Sequence, residues 1–89
     1  MISRSVTIVN KLGLHARAAT RLVNCASVFE AELLIRNGDK TINGKSIMGV
    51  LTLAACKGTV LVIEAEGPDR KEALQAMCEL INDRFGEDE

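Results

Sequence analysis

The 89 residues contain no Trp and no Tyr, only two Phe, a single His and a single Pro. Each scarcity excludes something. Lys and Arg number 11 against 12 Asp and Glu and are scattered singly, so the chain has neither the basic stripe nor the aromatic platforms that nucleic-acid binding requires. No apolar run approaches the ~18 residues of a membrane helix, and the start M-I-S-R-S-V-T has no signal-peptide core or cleavage site. A cytoplasmic protein without membrane insertion is expected. Cys25, Cys56 and Cys78 are odd in number, far apart and without C-x-x-C spacing, which argues against a disulfide framework or a zinc site. They read as small apolar fillers in a reducing compartment. A metal needs about three or four ligands, for which one His with three dispersed Cys makes a poor set, and no glycine-rich nucleotide loop occurs. Neither metal nor cofactor is expected, and a stand-alone enzyme is disfavoured because any imidazole chemistry must centre on His15.

What is present is the balance of a globular domain, 47% hydrophobic and 26% charged residues, and the length suits one domain over 1–89. The β-branched, alternating stretch 3–10 predicts a strand with Val6 and Ile8 on one face. Residues 16–27 place Ala19, Leu22, Val23 and Ala26 at helical spacing. Ala31, Leu33 and Ile35 alternate up to Asn37-Gly38, a pair that favours a tight hairpin with both residues at positive φ, so 31–36 and 40–43 are expected to pair. Ser46 is placed to cap a short helix from Ile47, which Gly49 weakens. The run 59–66 is a fourth strand, and Asp69 is expected to cap a long helix carrying Ala73, Leu74, Met77, Leu80, Ile81 and Phe85. The acidic end G-E-D-E is expected to fray. The order β-α-β-β-α-β-α, with each helix needing one apolar face covered, predicts an α+β fold in which an antiparallel sheet is covered on one side.

The stretch N-K-L-G-L-H-A-R-A-A, residues 10–19, sets the only imidazole at the mouth of the first helix. Free amides of a first turn, the helix dipole and the planar fork of Arg17 together make an anion site around His15. Such positive neighbours favour a neutral, nucleophilic ring and would then stabilise a phosphoryl group attached to it. Periodicity alone favours the plainer reading, in which His15 is a polar residue at a helix start and Arg17 a solvated charge.

G-L-H-A-R-A-A after V-N-K-L, together with G-K-S-I-M-G-V-L-T-L-A-A-C-K-G-T, resembles the HPr family of phosphocarrier proteins, and the similarity runs through nearly the whole chain. The resemblance implies an open-faced β-sandwich of four antiparallel strands and three helices. It also implies a relay in which enzyme I, charged by phosphoenolpyruvate, phosphorylates His15 on Nδ1 and the carrier passes the group to an enzyme IIA. Arg17 would assist, the backbone of Ala16 and Arg17 would hold the phosphate, and Thr20, Arg21, Asn24, Ile47, Met48 and Leu51 would form the partner face. Ile47, Met48 and Leu51 are expected to be partly exposed, because a short helix on an open-faced sandwich can turn only one side, that of Val50 and Leu53, to the sheet. Ser46 matches the regulatory serine that an HPr kinase/phosphorylase modifies in some members. Ala18 replaces the proline common in the family's motif and Leu12 a polar residue, which, with L-A-A-C-K-G-T, leans toward the nitrogen-related NPr branch. The carrier is expected to be a monomer. A different class remains open, a regulatory module whose phosphorylation at His15 or Ser46 controls docking to another protein.

Overall fold

The computed structural model describes all residues from Met1 to Glu89. Four strands, β1 (Ile2–Thr7), β2 (Glu32–Asn37), β3 (Lys40–Asn43) and β4 (Val60–Glu66), form one sheet in the order β1-β4-β2-β3, every neighbouring pair antiparallel. Three helices, α1 (Ala16–Ser27), α2 (Ile47–Leu51) and α3 (Arg70–Asn82), complete the α+β order read from the sequence.

Alternation decides which face the sheet buries. Val6 pairs with Leu61, and Leu33 and Ile35 pair with Ala65 and Ile63, and all of these are buried with Leu22, Met77 and Ile81 from the helices. Apart from Ala65, each such side chain contributes about 1.5 to 3 kcal/mol from removal of apolar surface from water. The opposite face carries Ser5, Val62 and Arg36 in one row and stays open. Its ion pair, Arg36 to Glu64 at 3.6 Å, is partly solvated and adds little.

The hairpin differs from expectation by one position. Asn37 pairs directly with Lys40, so the two-residue loop is Gly38-Asp39, and only Gly38 takes positive φ, at +62°. Asn37 instead sends its side-chain amide to the carbonyl of Leu53, 3.2 Å away, which ties the hairpin to the segment after α2.

Ser46 is the N-cap of α2, its Oγ accepting from the amide of Gly49 at 3.1 Å. Gly49 does more than weaken this helix: a Cβ there would lie 3.3 Å from Ser46 Oγ and 3.4 Å from Ile42 Cβ, so its absence lets α2 sit close on β3. Ser46→Ala removes the one side-chain cap of a helix too short to persist alone and is expected to cost about 1 kcal/mol, read as a lowered midpoint in urea with unchanged slope. No change in midpoint would show that packing of Val50 alone holds α2.

Asp69 stands at the N-cap of α3 but does not cap it. Its carboxylate accepts instead from the amides of Glu30 and Ala31, at 2.9 and 2.8 Å, because the chain entering β2 lies nearer than the first turn of α3. The Glu30 amide bond is the main reason that this carboxyl titrates below its usual range. A depressed carboxylate stabilises the fold fully above its unfolded pKa, and that contribution disappears as pH falls through the folded value.

The long helix also stops earlier than its apolar pattern suggests. It ends at Asn82, and Phe85 is buried from a separate terminal turn, Arg84–Gly86, in which Arg84 and Phe85 have φ of +57° and +55°. Left-handed backbone costs roughly 1 to 2 kcal/mol for each non-glycine residue, and burial of the Phe85 ring, which is wholly inaccessible, offsets it. Of the cysteines, Cys78 is buried and Cys25 half-buried, whereas Cys56 is exposed in the loop before β4 and is no filler. No helix is long and apolar enough to cross a membrane.

Candidate functional site

His15 is delivered to the surface by a closed turn. Beyond β1, Ile8 still bonds to the chain before β4, its amide to Thr59 O at 2.9 Å and its carbonyl from Gly58 N at 2.7 Å. Asn10 then turns the chain: its Nδ2 donates to Gly13 O at 2.8 Å while Gly13 N donates to Asn10 O at 3.2 Å. Gly13 has φ +69°, and a Cβ on it would lie 2.7 Å from Ala55 O and 2.8 Å from Cys56 Cα. Only glycine fits, because both the left-handed backbone and the contact with the facing loop forbid a side chain. The next residue, Leu14, is buried and donates its amide to Ala55 O at 2.9 Å, so the turn is fastened on both sides before α1 begins.

At this point His15 occupies the N-cap of α1 in extended conformation, with no side-chain cap bond, and its carbonyl accepts from Ala19 N at 2.8 Å. The amides of Ala16, Arg17 and Ala18 precede the first intrahelical bond and find no backbone acceptor, which leaves donors aimed out of the helix start. The imidazole is 28% exposed and borders an open depression that Arg17, Lys11 and Leu12 also line. Leu12 is 69% exposed there, an apolar side chain beside the ring.

The end of the chain forms the other wall. Glu87, Asp88 and Glu89 line the same depression, so the segment expected to fray is fastened. After the Arg84–Gly86 turn, the Arg21 guanidinium donates to Phe85 O, Lys11 N donates to Glu89 O, and Lys11 Nζ pairs with the Glu89 carboxylate at 3.4 Å. Between these ties, Glu87 Oε2 meets His15 Nε2, and Glu87 Oε1 accepts from Asn10 Nδ2 at 2.9 Å. Asn10, whose side chain is entirely buried, therefore joins the turn before His15 to the carboxylate beside it. The Asn10 bond, and after it the His15 ring, hold the Glu87 carboxyl below its ordinary pKa.

Of the residues singled out from sequence, His15 and Arg17 come together at this depression, and Ala16 lies between them in the chain. The surroundings of the ring are not uniformly positive, since the returning tail adds carboxylates that the local motif does not contain. Arg21 is committed to the tail, and Thr20 bonds back to Ala16 O at 2.9 Å, while Asn24 lies with Arg21 along the groove between α1 and α3. On α2, which packs against α1, Met48 is 73% and Ile47 41% exposed, with Leu51 at the edge of exposure and Val50 inside. That is the division of faces expected from a short apolar helix. Asn10 and Glu87 are absent from the residues singled out. The signal for Asn10 was a polar residue closing an alternating strand three positions before a glycine; for Glu87 it was Phe85, which must be buried and so draws the tail inward.

The family description "PTS HPr component phosphorylation site" matches residues 2–83. The chain is 49% identical over 89 residues to the phosphocarrier protein HPr of Neisseria meningitidis serogroup A, with both chains covered in full. To the phosphocarrier protein NPr of Shewanella violacea it is 44% identical over 86 residues, covering 97% of this chain and 94% of that one. The crystal structure of HPr-C-His from Thermoanaerobacter tengcongensis superposes with a TM-score of 0.96 at 40% identity, again over the whole of both chains. Agreement of the sheet, the helix order and the full length of sequence leaves one conclusion: the chain belongs to the HPr family of phosphocarrier proteins of the phosphotransferase system.

Proposed function

We propose that the chain accepts a phosphoryl group from phosphorylated enzyme I on Nδ1 of His15 and passes it to a histidine of an enzyme IIA, in the cytoplasm. The observation that carries this is the half-exposed imidazole of the chain's only histidine, set where the unbonded amides of α1 begin. An imidazole nitrogen supplies the lone pair, and the amides of Ala16 and Arg17 with the dipole of α1 favour the charge that arrives. The exposed Ile47 and Met48 of α2, which packs on α1, offer an apolar, adaptable contact for more than one partner, and Thr20, Arg21 and Asn24 of α1 are the polar residues assigned to the same role. Relatives named HPr and NPr resemble the chain to a similar degree, so support for the nitrogen branch comes from Leu12, Ala18 and the run L-A-A-C-K-G-T. Ser46 is engaged as a cap, which fits a structural role whether or not a kinase also modifies it.

Incubation with enzyme I and phosphoenolpyruvate is expected to give one acid-labile, alkali-stable phosphate per chain; none would remove the carrier assignment. For Arg17→Ala, whose side chain is exposed and bears no structural bond, the fold should persist while transfer slows about tenfold through loss of a charge-assisted contact to phosphate. A rate equal to that of the unaltered protein in a stopped-flow transfer assay would leave the phosphate to the backbone alone.

A further inference from the structure

We propose that Glu87, braced by Asn10, is a positioning residue for His15: its carboxylate takes the Nε2–H, orients the ring and leaves Nδ1 as the free nucleophile. The inference rests on the reading of His15 as phosphoryl acceptor. It begins from a gap in what holds the ring. The His15 side chain makes no bond to its own helix, and its one polar side-chain partner is Glu87. A carboxylate only accepts hydrogen bonds, so the nitrogen facing it must carry the proton, and in a neutral imidazole the other nitrogen is then the acceptor. With Glu87 at Nε2, the lone pair is at Nδ1.

The brace gives that contact its direction. Asn10 Nδ2 reaches both Gly13 O, at 2.8 Å, and Glu87 Oε1, at 2.9 Å, so the carboxylate is tied to the same turn that delivers His15. A ring held from behind by a carboxylate itself held by a buried amide has little freedom to rotate its nucleophilic edge away from the surface. The contact has a second use in the transfer. The Nδ1 lone pair forms the new N–P bond as the P–N bond to the donor imidazole breaks and its electron pair returns to the donor. The His15 ring, still protonated on Nε2, becomes a phosphoimidazolium with a positive ring charge, and Glu87 balances that charge on the side away from the phosphoryl group. On onward transfer the pair returns to Nδ1 and the ring is neutral again, still on its carboxylate.

Glu87 is not needed to fasten the tail. Arg21 holds Phe85 O, Lys11 holds Glu89, and the Phe85 ring is in the core. Loss of the Glu87 carboxylate alone therefore removes the ring contact and leaves the segment seated. Lys11, Arg17, Asp88 and Glu89, the other charged groups of the depression, remain in the variant.

The test joins two readouts on Glu87→Ala. Proton–nitrogen correlation spectra of the unphosphorylated protein at about pH 8, where an ordinary imidazole is neutral, are expected to show an exchange-protected Nε2–H of His15. In Glu87→Ala that signal is expected to vanish into exchange with water while the amide spectrum elsewhere keeps its dispersion. In steady-state transfer from phosphorylated enzyme I, kcat is expected to fall about tenfold with KM unchanged, because ring orientation and charge balance act on the reaction and not on docking. A wild-type proton found on Nδ1, or a variant with wild-type kcat, would overturn the assignment. The spectra need no donor, so a wild type that takes no phosphate sinks the carrier reading and leaves the positioning contact to be judged by itself.

Discussion

His15→Ala should carry no acid-labile phosphate after incubation with enzyme I and phosphoenolpyruvate, and should pass none to an enzyme IIA. The chain has one histidine, so no second imidazole can take over. Serine and threonine hydroxyls, including Ser46, would yield acid-stable esters, and acyl phosphates on Asp or Glu are labile to alkali. The chemistry of the bond thus reports the acceptor independently of the mutation. The substitution itself asks little of the fold. His15 makes no cap bond, its carbonyl continues to accept from Ala19, and Asn10 still holds Glu87, so stability should stay within about 1 kcal/mol. A folded His15→Ala that still gains acid-labile phosphate would place the acceptor elsewhere and undo the carrier mechanism built on this turn.

The second large effect is structural. Phe85→Ala should destabilise the domain by about 3 to 5 kcal/mol, the cost of emptying a fully buried aromatic site. A domain of this size has roughly 4 to 13 kcal/mol in total, so the variant should unfold at markedly lower urea and temperature. Release of backbone strain should hold the loss toward the lower end of the range for an emptied aromatic site. Phe85 and Arg84 keep left-handed backbone only because the ring is seated, and once it is gone the turn can relax and the tail can leave. Transfer should therefore drop even below the melting temperature, since Glu87 departs from His15. Phe85→Leu, which refills most of the volume, should recover much of both. A change smaller than about 1 kcal/mol in urea unfolding would show that the tail is not anchored by this residue.

Much of the architecture is written in local pattern. Alternation at Val6, Leu33, Ile35, Leu61 and Ile63 names the buried face of three strands, and the spacing of Ala19, Leu22, Val23 and Ala26 bounds α1 at Ala16–Ser27. Ser46 reads as a cap because its partner, Gly49, is three residues away. The misreadings share the opposite property. Asp69 has the right residue type at the right place to cap α3, yet its carboxylate is captured by amides 38 and 39 positions distant. Phe85 continues the apolar period of α3, and periodicity cannot tell a helix's last turn from a left-handed turn that inserts the same ring. The local half of the site is legible for the same reason: Gly13, His15 and Arg17 fall within five residues. Its other half joins His15 to Glu87 across 72 positions, and no local spacing encodes such a meeting.

The sheet order has a consequence for how the chain is made. β4 lies between β1 and β2, so the two earlier strands share no hydrogen bonds and wait for residues 60–66 to join them. While a ribosome is still translating, only the β2–β3 hairpin and isolated helices are available, and two-stranded ribbons are marginal in water. Completion of the core and of the depression at His15 then waits until β4, α3 and Phe85 have been made in turn. Folding of this domain is thus a nearly all-or-none event governed by long-range pairing, and a nascent chain interrupted before β4 carries His15 without the structure that surrounds it.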